Sequence, residues 1–525
     1  MTPERPADRQ VTRAAGTVGG ATLLSRILGY VRDAVIAWFF GTSASADAFF
    51  VAFRIPNLLR RMFAEGSLSV AFIPVFTETL HRQGRSEALR LARATGLILS
   101  VLLTVIVLLG VFFAPEIVRV VGPGFTDDPA LFGLTVELTR IMFPYILFIG
   151  LVALSMGILN VFGHFAAPAL APAVLNLAII GAALVVSPRL ERPVVGLAIG
   201  VVAGGIGQLV LQLPFLYRFG LRLGGRLVFF HAGLKKTGRL MLPAAFGAAV
   251  YQINLLINTQ LATLLPEGSV SYLYYADRLV QFPLGIVGMA AATALLPSLS
   301  RQALAGDPAA VTRTFGQAAR VVMFITIPAM CGLILLREPI IYLLFKRGAF
   351  DLEAVRLTAA ALLFYAAGLW AFTLARLAAQ TFYALQDTRT PVWTAAASIG
   401  VNIACGLTFM RFMGHAGLAL ATTVASGVNV VLLLLAMRSK LGALGMGAIL
   451  RSVGRALGCA LVMCVGIAAL RPRFQGDEIL SLSSAAVGLG LSITVGAVLY
   501  FTAAYLTRSA ELAALIDAVK LRRQA

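Results

Sequence analysis

From residue 16 onward the chain alternates long apolar runs with short polar turns. The runs fall at 16–40, 46–77, 92–113, 134–160, 165–186, 194–216, 240–264, 271–299, 311–336, 357–382, 391–410, 417–437, 456–470 and 480–506. A helix needs about 20 apolar residues to cross the hydrocarbon core, and a window reading places one crossing in each run. An outer-membrane barrel would show short segments of alternating polarity instead. The pattern predicts an all-α polytopic membrane protein with about 14 transmembrane helices.

The same pattern repeats along the chain. Residues 72–76 (FIPVF) close the second run and 295–300 (LLPSLS) the eighth, with Pro74 and Pro297 separated by 223 residues. Pro168 and Pro391, after the loops joining the fourth to the fifth run and the tenth to the eleventh, have the same separation. A Gly-Leu-Ala at 196–198 recurs at 417–419. Six runs are thus expected twice, as an N-terminal lobe at 1–230 and a C-terminal lobe at 231–440, followed by two further helices at 441–525. Six is even, so both copies start on one face and form parallel repeats, an arrangement suited to alternating access.

Composition sharpens this picture. The 525 residues are 59% hydrophobic and 13% charged, against roughly 25% charged in soluble domains. Mean hydropathy is +0.89. Most of the 43 Lys and Arg fall in the amino terminus, alternate loops and the carboxyl terminus, which predicts that both termini are cytoplasmic. The loop at 217–239 carries Arg218, Arg222, Arg226, Lys235, Lys236 and Arg239. With a net charge of +20 spread over cytoplasmic rims, it reads as topology and contact with anionic membrane lipids, not as a nucleic-acid surface. The Ala-Ser-Ala at 44–46 imitates a signal-peptidase site, but the run before it is long and charged, and is read as an uncleaved span. Cys331, Cys405, Cys459 and Cys464 lack metal or disulfide-framework spacing and are read as packing residues. His81, His164, His231 and His415 fall in predicted loops without a second ligand at metal spacing. No phosphate-binding nucleotide loop occurs, and 233–238 (GLKKTG) is a superficial echo. No cofactor and no catalytic arrangement is expected.

The informative residues are charges inside the first two spans. Arg26, Arg32, Asp33, Asp47, Arg54, Arg60, Arg61 and Glu65 lie between Ser25 and Pro74, and a charge at bilayer depth costs at least ~2.5 kcal/mol by insertion scales. Helical rise puts Arg26 near the midplane and Arg60 and Arg61 about 20 Å below the outer start of the second span. Asp47, Arg54 and Arg61 recur every seven residues on one face, with bends expected at Pro56 and Gly66. Arg278, in the repeat partner of the second span, follows Asp277. One reading is internal pairing, Arg26 with Asp33 and Arg61 with Glu65. The other is an anion site, because arginines outnumber carboxylates and the guanidinium fork suits phosphate.

Residues 25–33 (SRILGYVRD), 46–66 (ADAFFVAFRIPNLLRRMFAEG), 274–279 (YYADRL) and 295–300 (LLPSLS) closely resemble the MurJ/MviN family of bacterial lipid II flippases. The resemblance implies two six-helix lobes around a cationic cavity, with residues 441–525 forming a groove for the polyprenyl tail. It implies lipid II, the undecaprenyl-pyrophosphate-linked disaccharide pentapeptide, as substrate, moved to the periplasmic leaflet of the inner membrane for peptidoglycan synthesis. It places Arg26, Arg32, Arg60 and Arg278 as cavity arginines on the pyrophosphate, with Ser25, Asp33, Asp47, Arg54, Arg61 and Glu65 beside them. The expected carrier is a monomer and not an enzyme. The seventh span offers Gln252, Asn254 and Asn258 where some relatives carry an acid, which counts against sodium coupling and leaves membrane potential as a drive. A multidrug or other lipid-linked oligosaccharide exporter of the same fold is the rival reading.

Overall fold

The computed structural model describes residues 6–61, 68–221, 231–470 and 482–524. Among the described residues the regular structure is helical throughout, with no strand, as expected where lipid leaves each backbone group to be satisfied within its own segment. The first unit, Met1–Ser271 with Arg347–Ala349, begins with α1 (Pro6–Phe40), α2 (Ala44–Arg60), α3 (Leu68–Gln83), α4 (Arg85–Phe112) and α5 (Ala114–Val121). It continues with α6 (Pro129–Met142), α7 (Tyr145–Val161), α8 (Ala166–Gly181), α9 (Val194–Arg218) and α10 (Ala232–Thr263). The second, Tyr272–Lys346 with Phe350–Ala525, holds nearly all of α11 (Ser269–Leu304), then α12 (Pro308–Leu335), α13 (Arg337–Phe345), α14 (Leu352–Ala367) and α15 (Leu369–Ala384). Its remainder is α16 (Arg389–Leu441), α17 (Met446–Leu470), α18 (Leu482–Leu506) and α19 (Ala510–Gln524).

Each predicted span coincides with a helix or a broken pair. Among the described residues eight helices are long and apolar enough to cross a membrane, nine if α14 and α15, bent by 43°, are one span. At 53 residues α16 would be about 80 Å long if straight, more than twice the core thickness. It breaks at Gly414, whose φ of 56° and ψ of −136° are non-helical, and so supplies the eleventh and twelfth spans. The second span is α2 followed by α3; Pro56 lies inside α2, while Gly66 and Glu65 fall outside the described residues.

Helix starts recur with the spacing read from sequence. Arg85 and Pro308, Ala114 and Arg337, Pro129 and Leu352, and Ala166 and Arg389 open equivalent helices, each pair 223 residues apart. The short α5 and α13, too brief for a span reading, are among them. So is a turn: Gly163 and Gln386 both have positive φ, at 78° and 58°. Each is followed by the same closing bond, from His164 N to Leu159 O at 2.8 Å and from Asp387 N to Phe382 O at 2.9 Å.

In the first unit α8 packs between α1 and α9, α2 packs on α6, and α10 packs on α3. One core joins Phe72, Phe76, Leu91, Leu103, Ile146 and Leu159. In the second unit α12 packs on α15 and α17, with Phe315, Phe324, Phe382, Met437 and Cys459 in one buried cluster. Tyr500 of α18 joins it and donates its hydroxyl to Phe324 O at 2.6 Å.

Candidate substrate site

The turn between α1 and α2 sends the two helices back across the membrane, so depth can be counted from it in both. At 1.5 Å per residue, Arg32 and Arg54 lie roughly 12–15 Å from that turn, and Arg26, Arg60 and Arg61 roughly 21–26 Å. The charges of the first unit therefore form two layers.

In the shallower layer Arg32 is committed. It is 6% exposed and Asp33 is 1% exposed. Its Nε and Nη2 donate to Asp33 Oδ1 at 3.0 and 2.6 Å, and its Nη1 donates to Asn176 Oδ1 at 3.2 Å. Asn176 Nδ2 in turn donates to the Ser25 carbonyl at 3.0 Å. Ser25 thus contributes a backbone acceptor to a buried network that pins α1 to α8. The internal pair is Arg32 with Asp33, not Arg26 with Asp33: neighbours on a helix point apart at Cβ, but a long arginine can fold back to an adjacent carboxylate. Arg54 Nε donates to Thr259 Oγ1 on α10 at 2.9 Å.

In the deeper layer Arg60 donates from Nε and Nη2 to Asn57 Oδ1 at 3.2 and 3.1 Å. Arg26 and Arg61 are half buried, and among the described residues neither side chain has a hydrogen-bond or ion-pair partner. Glu65, the expected partner of Arg61, lies outside the described residues.

Asp47 is used differently. It is 3% exposed and accepts from Gly268 N and Ser271 N, both at 2.8 Å, and from Ser271 Oγ at 2.5 Å. These are the donors at the start of α11, orphaned at any helix amino terminus, and a carboxylate suits that end of the dipole. Glu267 Oε1 returns the favour, accepting from Ala44 N at the start of α2 at 2.6 Å. Sequence reading missed this reciprocal capping, whose only local trace is an acidic residue in each loop or first turn. In the second unit, Arg278 stands over the Tyr274 ring, 5.7 Å from its centroid, and Asp277 accepts from Gln281 Nε2 on the next turn.

The chain matches the family model described as "Lipid II flippase MurJ" over residues 36–487. The chain belongs to the MurJ family. It is 43% identical over 439 residues to the probable lipid II flippase MurJ of Vibrio cholerae, covering 82% of this chain and 83% of that one. It is 40% identical over 432 residues to the lipid II flippase MurJ of Burkholderia cenocepacia, covering 82% and 84%. Among solved structures it is similar to a lipid II flippase MurJ in an inward closed conformation, with TM-score 0.78, 26% identity, and 93% and 98% of the two chains covered. An inward-facing multidrug resistance transporter of the MATE family shares the fold, with TM-score 0.68 at 15% identity over 80% of this chain and 95% of that one. The MurJ family fixes the chain as a multi-pass protein of the bacterial inner membrane.

Proposed function

We propose that this protein moves lipid II from the cytoplasmic to the periplasmic leaflet by alternating access, without altering it chemically. The observation that carries the reading is the pair of half-buried arginines, Arg26 and Arg61, without a side-chain partner among the described residues and at matching depth on α1 and α2 of a chain 40–43% identical to lipid II flippases. Two guanidinium forks at one depth favour a dianionic pyrophosphate. Arg60 joins them on α2, and Arg278 of the second unit is read as a further phosphate ligand. Arg32 and Asp33 hold α1 in place for it, and Asp47 positions the start of α11.

We read the repeated helix starts as two parallel six-helix lobes, 1–230 and 231–440, whose rocking exchanges access, with 441–525 guiding the lipid tail. The carrier acts as a monomer with both termini cytoplasmic, which agrees with the lysines and arginines of alternate loops.

The test is transport of lipid II in vesicles with leaflet-specific labelling. Arg26→Ala and Arg61→Ala insert normally and lose about 10- to 100-fold in rate, the worth of one or two charge-assisted hydrogen bonds. Full rate in both variants would refute the pyrophosphate site. Arg32→Ala is a poor probe of binding, because it breaks a buried ion pair, a loss of about 3–5 kcal/mol in stability. A cationic drug offered in place of lipid II is not carried; its transport would favour the multidrug reading.

A further inference from the structure

The second unit brings together two thiols that lie far apart in sequence. Cys331 is on α12 and Cys464 on α17, helices that pack along each other. Both side chains are half buried, both pack against the same apolar cluster, and the two thiols are close enough to perturb one another electrostatically. These helices are the ninth and thirteenth spans. Four crossings separate them, so they run in the same direction and end on the same face whichever way the protein is inserted. Cys331 precedes the end of its helix by four residues and Cys464 by six, about 6 and 9 Å from that face. On the orientation proposed above the face is periplasmic, where disulfides form and persist.

We propose that Cys331 and Cys464 are a dithiol redox site that closes to an intramolecular disulfide and staples α17, the first of the two terminal spans, to α12. The co-reactant is a small disulfide, RS–SR. One cysteine thiolate attacks it, forming a mixed disulfide and releasing RS⁻, which takes up the proton lost by the cysteine. The second thiol, deprotonated in its turn, attacks the protein sulfur of the mixed disulfide and expels the second RS⁻ as RSH. Two cysteines are oxidised to one cystine, one RS–SR is reduced to two RSH, and two protons pass with the two electrons. The remaining cysteines are placed otherwise: Cys459 Sγ faces Thr507 Oγ1 at 3.7 Å, and Cys405 is on α16. A bridge that closes the long loop between α12 and α17 restricts the unfolded chain and stabilises the fold.

The experiment treats the full-length protein in detergent micelles with dithiodipyridine, which releases one chromophoric thione per exchange. Closure releases two thiones from this pair and leaves no pyridylthio adduct on either cysteine. Peptide mapping without reductant then recovers Cys331 linked to Cys464, and the thermal midpoint rises by a few degrees until dithiothreitol is added. In Cys331→Ser the adduct stays on Cys464, whereas a Cys405→Ser/Cys459→Ser double variant closes like the native chain. Stable adducts on both Cys331 and Cys464, or linkage of either to Cys405 or Cys459, would overturn the proposal.

Discussion

Gly348 and Gly84 both have positive φ, 54° and 86°, but differ in what surrounds them. A Cβ at Gly348 would stand 2.3 Å from Trp38 Cδ1 and 2.4 Å from the Trp38 carbonyl, beside the bond that Ala349 N donates to that carbonyl at 2.9 Å. At Gly84 it would meet nothing within 4 Å. Gly84→Ala should therefore lose only the backbone strain of its positive φ, about 1–3 kcal/mol. Gly348→Ala should lose clearly more, because a backbone carbonyl cannot step aside. Thermal unfolding of the two variants side by side checks this, and equal losses would mean that the turn at 347–349 yields freely. Nothing in the local sequence separates these glycines, since the difference lies in a tryptophan some three hundred positions away. The arginines were legible as a class for the opposite reason: a charge within an apolar run is conspicuous in one dimension. Which of them is committed was not, because Arg32 finds Asn176 only once α1 meets α8.

At the level of elements, the turn that follows a repeated span is conserved in shape while its chemistry diverges. Its first copy holds His164, whose ring stacks on Phe215 at 4.2 Å and whose pKa is lowered by burial and then by Arg218. Its second copy holds Asp387, which accepts from Thr390 N at 3.0 Å and Thr390 Oγ1 at 2.6 Å, and from Lys440 Nζ at the far end of α16. Burial works against the Asp387 carboxylate, but the Lys440 and Thr390 donors outweigh it and hold its pKa well below the ordinary range. A depressed carboxyl stabilises the fold above its unfolded value, near 3.9, and that contribution is lost as pH falls toward the folded value. Asp387→Asn should thus lower the thermal midpoint by a constant amount between pH 8 and about pH 5, with the gap to the native chain closing below about pH 3.9. A gap that widens on acidification would contradict this ion pair. The turn itself was legible as Pro168 and Pro391 at one spacing; the tie from Asp387 to Lys440 was not, because it joins the two ends of a kinked helix.

For the whole molecule the choice of drive lies between an ion gradient and the membrane potential. Its α10 carries Gln252, Asn254 and Asn258 and no carboxylate, whereas a net charge of +20 and cationic layers in the first unit respond to a field worth ~2.3 kcal/mol per charge per 100 mV. Replacing sodium by potassium or choline should leave lipid II transport within about twofold, while collapsing the potential with an ionophore should slow it by roughly tenfold or more, given that field energy. Sodium dependence with no response to potential would reverse this assignment.

The sequence by itself determined the fold class, the places of the fourteen spans, the 223-residue repeat and the concentration of arginine in the first two helices. Hydrophobic thickness, helical rise and the penalty on charge in lipid all act along a single segment, so they can be read one segment at a time. Only the tertiary structure decided that Arg32 reaches Asn176 on α8, that Asp47 and Glu267 cap helices begun more than two hundred residues away, and that the helices of Cys331 and Cys464 pack together. Those choices depend on which side chains come within about 3 Å of one another, a property of packed helices that no single helix contains.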